Sequence, residues 1–237
     1  MRPLPSYLSL SHHKHHQATG SFLMDVSIGV VAHHKRLPYT KDLLNELAPE
    51  VISVDNKDLG GKWNHQEVLS LLQGGNKEWS VVLEDDAIPC DDFRNQLSNA
   101  LPCAPTSFVG LYLGRSRPPH WQAAISHVIA SDVCWLTCDS MLNAVGYAIK
   151  TSMIPSLLDS LRSSSSERPI DDAITDFGHI NNILFSYTKP SLVEHSDIPP
   201  VQKHSYGIPA PGRKAWIFGG RSSWDSSTVP LEYVSSW

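Results

Sequence analysis

Three consecutive acidic residues follow an apolar run in the segment WSVVLEDDAIP, and they are well suited to bind a cation. The acids are Glu84, Asp85 and Asp86. Burying three neighbouring carboxylates is costly unless a cation neutralises them. Oxygen ligands of this kind suit Mg²⁺ or Mn²⁺, which usually bind one or two carboxylates together with substrate phosphates. The alternative is a solvated acidic turn in which Asp85 or Asp86 caps the next helix.

Segments typical of strands and helices alternate along the chain and indicate how these acids would be positioned. Apolar runs predict strands at 26–32, 51–55, 79–86, 108–114 and 144–149, with an extended segment at 183–195. Amphipathic spacing predicts helices at 37–48, 65–73, 90–101, 151–162 and 170–182, and glycines predict a loop at 58–64. Thr40 is the expected N-cap of its helix, and Pro155 is tolerated only in a first helical turn.

This alternation predicts a single-domain α/β fold whose sheet is parallel near its start, with an antiparallel addition where intervening helices are missing. In open α/β sheets, ligands bind beyond the carboxyl ends of the strands, which is where the three acids would lie. We expect a flexible leader at 1–24, a catalytic domain at 25–200, and an irregular tail at 201–237 that covers the ligand site. The histidine cluster in the leader could bind metal, but we interpret it as part of a floppy segment.

Composition narrows the class of protein. A formal net charge of -5 with 18% charged residues provides no overall basic field that would attract nucleic acid, although it does not exclude a local basic patch. None of the four cysteines forms a CxxC pair, so we expect free, mostly buried thiols in a reducing compartment. No apolar run approaches the roughly 20 residues that span a bilayer, and the start of the chain lacks the apolar core of a signal peptide. A cytoplasmic location is expected.

The sequence LEDDA, followed by a predicted helix that opens at DDF, resembles the lipopolysaccharide-type glycosyltransferases of family 25 and, more broadly, the GT-A class. The segments PSLVEHSD and GRSRPPHW are similar to those of small phage or actinobacterial glycosyltransferases. The resemblance implies a GT-A-like mixed central sheet flanked by helices, with an acidic triplet that holds a divalent metal on the donor's diphosphate. Carried over by position, Asp86 is the metal ligand, Glu84 faces the ribose and Asp85 supports the site.

Two distant segments extend this resemblance. GT-A enzymes often supply a further metal ligand from far along the chain, and KPSLVEHSD offers His195 for an Mn²⁺ or Mg²⁺ ion. The alternative is an ordinary surface or core histidine. RPIDDAI resembles the segment that supplies the general base, with Asp171 as first choice and Asp172 as second. The alternative for Asp171 is simple capping of a helix.

The resemblance also implies donor contacts before the acidic triplet. The first loop after a strand, AHHKRLP, would contact the nucleotide through His33, His34 or Arg36, and Asp55 would contact the nucleoside. The loop GGKWN would place Lys62 and Asn64 near the diphosphate or the sugar. An ordinary exposed polar loop is the alternative for the histidines and the arginine.

A proline-stiffened loop, GRSRPPHW, carries two arginines and an aromatic residue. Arg115, Arg117 and Trp121 could contact phosphates, the face of a sugar or a nucleic-acid backbone. Trp121 and Trp135 are candidate sugar platforms, with core packing as the alternative. In the tail, three basic residues could close over the donor: Arg213, Lys214 and Arg221.

These features together predict a metal-dependent glycosyltransferase that moves a sugar from a nucleotide-diphosphate donor, with a UDP-sugar as first choice, to an acceptor hydroxyl. The resemblance implies inversion at the anomeric carbon, and the acceptor would be a glycan or a hydroxymethylated base in phage DNA. One alternative is a nucleotidyltransferase, which would normally have a glycine-rich phosphate loop that AHHKRLP lacks. Another is a non-catalytic carbohydrate- or nucleic-acid-binding module, because a fold alone does not specify a function.

Overall fold

The computed structural model describes residues 26–196, 198, 201 and 212–232. The leader predicted at 1–24 lies outside the described residues, as does part of the predicted tail. The strands are β1 Val26–His33, β2 Val51–Asp55, β3 Trp79–Glu84, β4 Ala87–Pro89, β5 Phe108–Gly110, β6 Trp135–Cys138, β7 Gly146–Lys150, β8 Phe185–Thr188, β9 Val193–His195 and β10 Thr228–Pro230. The α-helices are α1 Leu37–Leu47, α2 Gly61–Leu72, α3 Phe93–Ala100, α4 Gln122–Val128, α5 Ile154–Ser163 and α6 Ile170–Asn181.

Eight strands form one mixed sheet in the order β10-β6-β8-β5-β7-β3-β1-β2. Strands β1, β2 and β3 are parallel, whereas β7 runs antiparallel to both β3 and β5. Strand β8 is parallel to β5 and antiparallel to β6. The predicted single-domain α/β fold, a mixed central sheet flanked by helices, is confirmed, including the parallel start and the later antiparallel addition.

Helices cover both faces of the sheet because successive side chains of a strand point to opposite sides. In β1, Val31 packs into a cluster with residues of α2, α5 and α6. Its neighbours Val30 and Ala32 pack into a second cluster with residues of α1 and α3. Burial on both faces explains why β1 and β3 read as continuous apolar runs rather than as alternating ones. Among the described helices, none is long and apolar enough to cross a membrane.

The first helix begins at Leu37 as predicted, but its predicted N-cap is wrong, and so is the predicted first residue of the second helix. Thr40 does not cap α1, because it lies inside the helix and its hydroxyl donates to the carbonyl oxygen of Arg36 at 2.9 Å. Helix α2 begins at Gly61 rather than at residue 65, so residues 61–64 of the predicted glycine loop are helical. Pro155 lies in the first turn of α5, as predicted.

Four short strands or α-helices escape prediction from the sequence, and one of them is the three-residue strand β4. Strand β6 and helix α4 span only four and seven residues, which is too short for a clear hydrophobic period. Within the segment read as an irregular tail, β10 pairs in parallel with β6 at the edge of the sheet. Of the predicted strand at 108–114, only Phe108–Gly110 forms a strand of the sheet, although Leu111 and Leu113 still make backbone hydrogen bonds to neighbouring segments.

The four cysteines are free, as predicted, and Cys90, Cys134 and Cys138 are buried. Burial raises the pKa of Cys90 to about 11 and that of Cys138 to about 12. Because the thiolate is the reactive form, these two thiols are inert packing groups at neutral pH.

Strand β1 and helix α2 approach each other closely at Gly29. A Cβ atom there would lie 2.5 Å from Val68 Cγ1 and 3.0 Å from Leu72 Cδ1. We therefore expect Gly29→Ala to lower the free energy of unfolding by about 1–3 kcal/mol through overpacking, measured by urea denaturation. The matched control is Gly74→Ala, because no atom of the described residues lies within 4 Å of the added methyl group. An equal loss in both variants would contradict the close approach of β1 to α2.

Candidate active site

The acidic triplet lies where the central strand β3 ends and the chain turns into β4. Glu84 is the last residue of β3, and Asp85 and Asp86 form the turn. Asp85 and Asp86 are buried, whereas 30% of the Glu84 side chain is exposed. The acids therefore form a partly enclosed cluster rather than a solvated turn.

His195 reaches the triplet because the short strands β4 and β9 pair antiparallel, with Ala87 opposite His195. The N–H of Ser196 also donates to the backbone oxygen of Asp86 at 2.8 Å. This pairing places His195 Nε2 3.6 Å from Asp86 Oδ2. Both residues are only 4% exposed. The structure thus brings together the two residues predicted as metal ligands.

Arg36 is a cation already in contact with the triplet. Its Nη1 donates to Asp85 Oδ1 at 2.8 Å and to Asp86 Oδ2 at 2.6 Å, while the backbone N–H of His33 donates to Asp85 Oδ2 at 2.8 Å. Burial alone would lower the pKa of Arg36, but the two carboxylates raise it above its ordinary value. Burial and the charge of Glu84 raise the pKa of Asp86, against the opposing influence of His195 and Arg36.

Glu84 is held by a buried histidine that the sequence did not single out. Nε2 of the fully buried His65 lies 3.2 Å from Glu84 Oε1, and its Nδ1 lies 3.2 Å from the hydroxyl of Tyr147. Burial alone would raise the pKa of Glu84, but the hydrogen bond and charge of His65 lower it below its usual value. A lone histidine on the inner face of α2 carries no motif, so only the structure identifies this contact.

A cavity of about 430 Å³ opens beside the triplet at the carboxyl ends of β1, β2 and β3. All three acids line it, together with Arg36 and the predicted donor contacts His33, Asp55 and Asn64. Its size is within the range of pockets that bind small molecules. This cavity is therefore the candidate active site.

Asp55 and Asn64 are buried polar residues on the donor side of the cavity. The backbone N–H groups of Lys57 and Gly60 donate to the two carboxylate oxygens of Asp55 at 3.0 and 2.8 Å. Burial alone would raise its pKa, but these and another backbone N–H lower it, so the carboxylate is ionised. Asn64 Nδ2 donates to the carbonyl of Ala32 at 2.7 Å, whereas its Oδ1 has no hydrogen-bond partner among the described residues.

The side chains of His33, His34 and Asp58 form a second group whose ligand atoms lie within 4.8 Å of one another. In the structure, however, Asp58 Oδ1 already accepts hydrogen bonds from His33 Nε2 at 3.0 Å and from Lys35 Nζ at 2.7 Å. His34 Nδ1 lies 2.9 Å from the backbone oxygen of Asp55. Because Lys35 supplies the positive charge, we interpret this group as a hydrogen-bonded loop at the rim of the cavity.

Several residues predicted to contact ligands do not line the cavity, among them His34, Lys62, Arg115, Arg117, Trp121, Trp135 and the predicted metal ligand His195. Lys62 Nζ instead donates to Ser164 O, Ser164 Oγ and Ser165 O at 3.1, 2.5 and 2.6 Å. Its ammonium group therefore ties α2 to the loop between α5 and α6. Lys62 does not make the predicted contact with the sugar-nucleotide donor, because it lies two residues before Asn64 in α2 and the two side chains leave the helix on nearly opposite sides.

The predicted sugar platforms are largely core residues. Trp135 in β6 is fully buried, and its indole N–H donates to the carbonyl of Asp225 at 2.7 Å. Trp121 is also buried and borders a separate depression with His120, Asp139 and Ser140. Core packing, the alternative stated for both tryptophans, is therefore the better description of Trp135 in particular.

The candidate base residues lie in the first turn of α6 rather than on the cavity wall. Asp171 is partly buried, and burial together with the charge of Asp172 raises the pKa of Asp171 to about 6. Asp172 is exposed, and its carboxylate lies 3.6 Å from Arg168. Glu84 also contributes to the pKa of Asp171, so α6 begins within electrostatic range of the acidic triplet.

Two of the three basic tail residues reach the site. Arg213 lines the cavity, with Nη1 3.4 Å from His195 Nε2, and Lys214 Nζ donates to the backbone oxygen of His195 at 3.0 Å. Arg221 instead donates to the carbonyls of Val133 and Lys189 at 3.0 and 3.2 Å.

The chemistry of Asp86 and His195 fits a divalent cation. Asp86 Oδ1 and His195 Nδ1 are buried and lack a hydrogen-bond partner in the part of the chain that the structure describes. Two metal–ligand bonds of about 2.1 Å each can span the 3.6 Å between Asp86 Oδ2 and His195 Nε2. Buried polar atoms usually have partners, so the two atoms without one are consistent with a ligand site. The facing atoms Asp86 Oδ2 and His195 Nε2 contact Arg36 and Arg213, so an ion between them would replace those contacts.

No protein-family model matches this sequence, and no curated protein sequence matches it significantly. Similar solved structures include a glycosyltransferase involved in the glycosylation of the major capsid of PBCV-1, at 9% identity and a TM-score of 0.36, over 69% of this chain and 83% of that chain. Another is A197 from STIV, at 11% identity and a TM-score of 0.40, over 76% of this chain and 99% of that chain. A third is the inositol-1-phosphate CTP transferase from T. maritima, at 11% identity and a TM-score of 0.39, over 77% of this chain and 74% of that chain. The resemblance to family 25 therefore stays a prediction from its motifs, and function must be argued from the site.

Proposed function

We propose that this protein is a glycosyltransferase that moves a sugar from a nucleotide-diphosphate donor, with a UDP-sugar as first choice, to an acceptor hydroxyl. The observation that carries the proposal is the buried pair Asp86 and His195, whose facing atoms are 3.6 Å apart beside a cavity of about 430 Å³. One carboxylate and one imidazole suit Mn²⁺ or Mg²⁺, and the remaining coordination positions suit phosphate oxygens. When bound there, the ion would act as a Lewis acid towards the leaving diphosphate.

The donor would lie along the cavity wall that the first loop and α2 provide. Asp55 is oriented by two backbone N–H groups, so its remaining lone pairs are available to a ribose hydroxyl. Asn64 Oδ1 is a second acceptor available for the nucleoside. Arg36 and Arg213 supply positive charge on the same wall for the phosphates. Glu84, held by His65, would face the sugar or the ribose.

The acceptor hydroxyl must lose its proton as it attacks the anomeric carbon, and we assign this task to Asp171. A raised pKa of about 6 leaves the carboxylate ionised at pH 7 yet basic enough to accept a proton. Asp172 is the second choice, because it is exposed and lies beside Arg168. We propose inversion at the anomeric carbon, as the resemblance implies.

The acceptor proposed is a glycan, with a hydroxymethylated base in phage DNA as the alternative. Exposed Arg115 and the neighbouring Arg117 support a phosphate-bearing acceptor, whereas the net charge of -5 favours a glycan. A nucleotidyltransferase is the rival reaction, and the absence of glycine from the first loop disfavours it.

A screen of nucleotide sugars for donor hydrolysis tests the proposal and identifies base and sugar together. Release of UDP or GDP from at least one nucleotide sugar, dependent on Mn²⁺ or Mg²⁺, is expected. Formation of a nucleotide sugar from a nucleoside triphosphate and a sugar phosphate, with release of pyrophosphate, would instead establish the nucleotidyltransferase. A protein that binds nucleotide sugars without turnover of either kind would be the non-catalytic module.

UDP is expected to stabilise the folded protein only when Mn²⁺ or Mg²⁺ is present, because the ion links the diphosphate to Asp86 and His195. At a concentration a hundredfold above the dissociation constant, ligand binding contributes about 2.7 kcal/mol, which corresponds to an increase in Tm of roughly 5–10 °C. Differential scanning fluorimetry measures this increase, with the ion alone and UDP alone as controls. An equal increase with UDP alone would contradict a metal-bridged diphosphate.

A further inference from the structure

Arg36 contacts the same carboxylate oxygen that faces the predicted metal ligand His195. Arg36 Nη1 lies 2.6 Å from Asp86 Oδ2, and His195 Nε2 lies 3.6 Å from the same oxygen atom. The Arg36 side chain is only 12% exposed, so the contact is well shielded from solvent. A second bond of 2.8 Å to Asp85 Oδ1 anchors the same nitrogen atom.

The charges explain why this arginine is needed. Glu84, Asp85 and Asp86 are consecutive acids on the cavity wall, and Arg36 is the cation that bonds to two of them. A divalent ion bound to Asp86 would place a second cation against the same oxygen. Two cations repel each other at such a distance, so the ion and the guanidinium would compete for Asp86.

The place of Arg36 in the fold and the donors of its guanidinium group allow it to bind a second partner. It ends the short 3₁₀ turn His34–Arg36, immediately before α1, at the rim of the cavity. Its guanidinium has five N–H donors in a planar fork that matches phosphate oxygens, and the bond to Asp85 can persist while other donors turn to a new partner.

We propose that Arg36 is an exchangeable counter-ion of the acidic cluster: a divalent cation displaces it from Asp86, and it then donates to the diphosphate of the donor while it stays bound to Asp85. The second half rests on the proposed function, whereas the first half concerns the metal alone. Because the same residue takes part in both events, binding of the ion and binding of the diphosphate favour each other.

The first test measures Mn²⁺ binding without nucleotide, by electron paramagnetic resonance of free Mn²⁺. Arg36→Gln is expected to bind Mn²⁺ at least tenfold more tightly than the wild-type protein, because the competing cation is gone. Arg162→Gln, which removes the same charge from an exposed ion pair, is the matched control and should stay within twofold. Unchanged or weaker Mn²⁺ binding by Arg36→Gln would overturn the exchange.

Loss of a buried counter-ion could prevent Arg36→Gln from folding, so the comparison is repeated in the Asp85→Asn background, where one acid is removed together with the arginine. Addition of Arg36→Gln to Asp85→Asn should again tighten Mn²⁺ binding at least tenfold. Equal affinities in this pair would overturn the proposal as well.

The second test compares UDP with UMP at saturating Mn²⁺ by isothermal titration calorimetry. Arg36→Gln should weaken UDP binding at least tenfold and UMP binding much less, because only UDP carries the diphosphate. Equal weakening of both would overturn the transfer of Arg36 to the diphosphate. If wild-type protein binds Mn²⁺ but no nucleotide diphosphate, the proposed donor class is wrong, and the exchange at Asp86 is still decided by the Mn²⁺ data.

Discussion

Asp86→Asn is expected to lower nucleotide-sugar turnover by about a hundred- to a thousandfold. A Lewis-acidic metal contributes several kcal/mol of transition-state stabilisation, and each 1.36 kcal/mol corresponds to a tenfold change in rate. Asparagine has nearly the same shape but no charge, so the cation would lose its anionic ligand while His195 stays in place. Arg36 keeps its bond to Asp85 in this variant, and burial already raises the pKa of Asp86, so a neutral side chain there should cost little stability. The initial rate of UDP release, measured over a range of Mn²⁺ concentrations, checks this prediction.

Asp91→Asn is the matched control for Asp86→Asn. Asp91 is an exposed acid shortly after β4 and does not line the cavity. The turnover rate of the Asp91→Asn variant should therefore stay within twofold of the wild-type rate. Both variants should melt cooperatively near the wild-type temperature. If Asp86→Asn keeps more than about a tenth of the wild-type rate, Asp86 does not hold a catalytic cation.

Asp171→Asn is expected to lower kcat by about 10²–10⁴-fold without weakening UDP binding, because general-base catalysis contributes that much and Asp171 does not line the donor cavity. In the wild-type protein the base acts in its ionised form. With a pKa of about 6, kcat should therefore fall as the pH drops below 6, and Asp171→Asn should lack this decline. Stopped assays across pH 5–8 measure both effects.

The same substitution should stabilise the protein at neutral pH, which separates loss of catalysis from misfolding. The pKa of Asp171 is raised in the folded state, so the folded chain binds this proton more tightly than the unfolded chain does. Its favourable contribution is complete below the ordinary pKa of about 3.9 and is lost as the pH rises through 6. At pH 7, Asp171→Asn should be more stable by about 1–2 kcal/mol, since partial exposure screens some of the cost of the charge.

Asp172→Asn serves as the comparison for the base assignment. Asp172 is exposed and lies beside Arg168, so its replacement should change kcat less than threefold. Retained kcat in Asp171→Asn together with a large loss in Asp172→Asn would move the role of base by one residue.

Strong local patterns made much of the fold predictable. Strands β1 and β3 are buried on both faces and therefore read as uninterrupted apolar runs, and α5 and α6 carry clear helical periods. Prediction failed where an element is short or its residues favour another structure. Gly61 starts α2 although glycines suggest a loop, and β6 has only four residues.

The acids of the candidate site were predictable from the sequence, whereas some of their partners were not. Asp55 and the acidic triplet come at the ends of parallel strands, and the carboxyl ends of such strands meet at one edge of the sheet. The strand pattern therefore predicts that these acids lie close together. His65 is different, because nothing local marks a buried histidine as the partner of Glu84. Lys62 is different as well, since its long side chain found acceptors in Ser164 and Ser165, which are distant in sequence.

The sequence by itself determined a mixed α/β sheet with three acids at the carboxyl end of a buried strand, because apolar periodicity and the order of strands and helices are local properties. Only the tertiary structure decided which distant groups meet those acids. The pairing of β4 with β9 places His195 beside Asp86, and the turn before α1 places Arg36 between Asp85 and Asp86. The sequence suggested His195 only through the resemblance of its segment to a known family, because such contacts depend on side-chain reach and strand register across the whole chain.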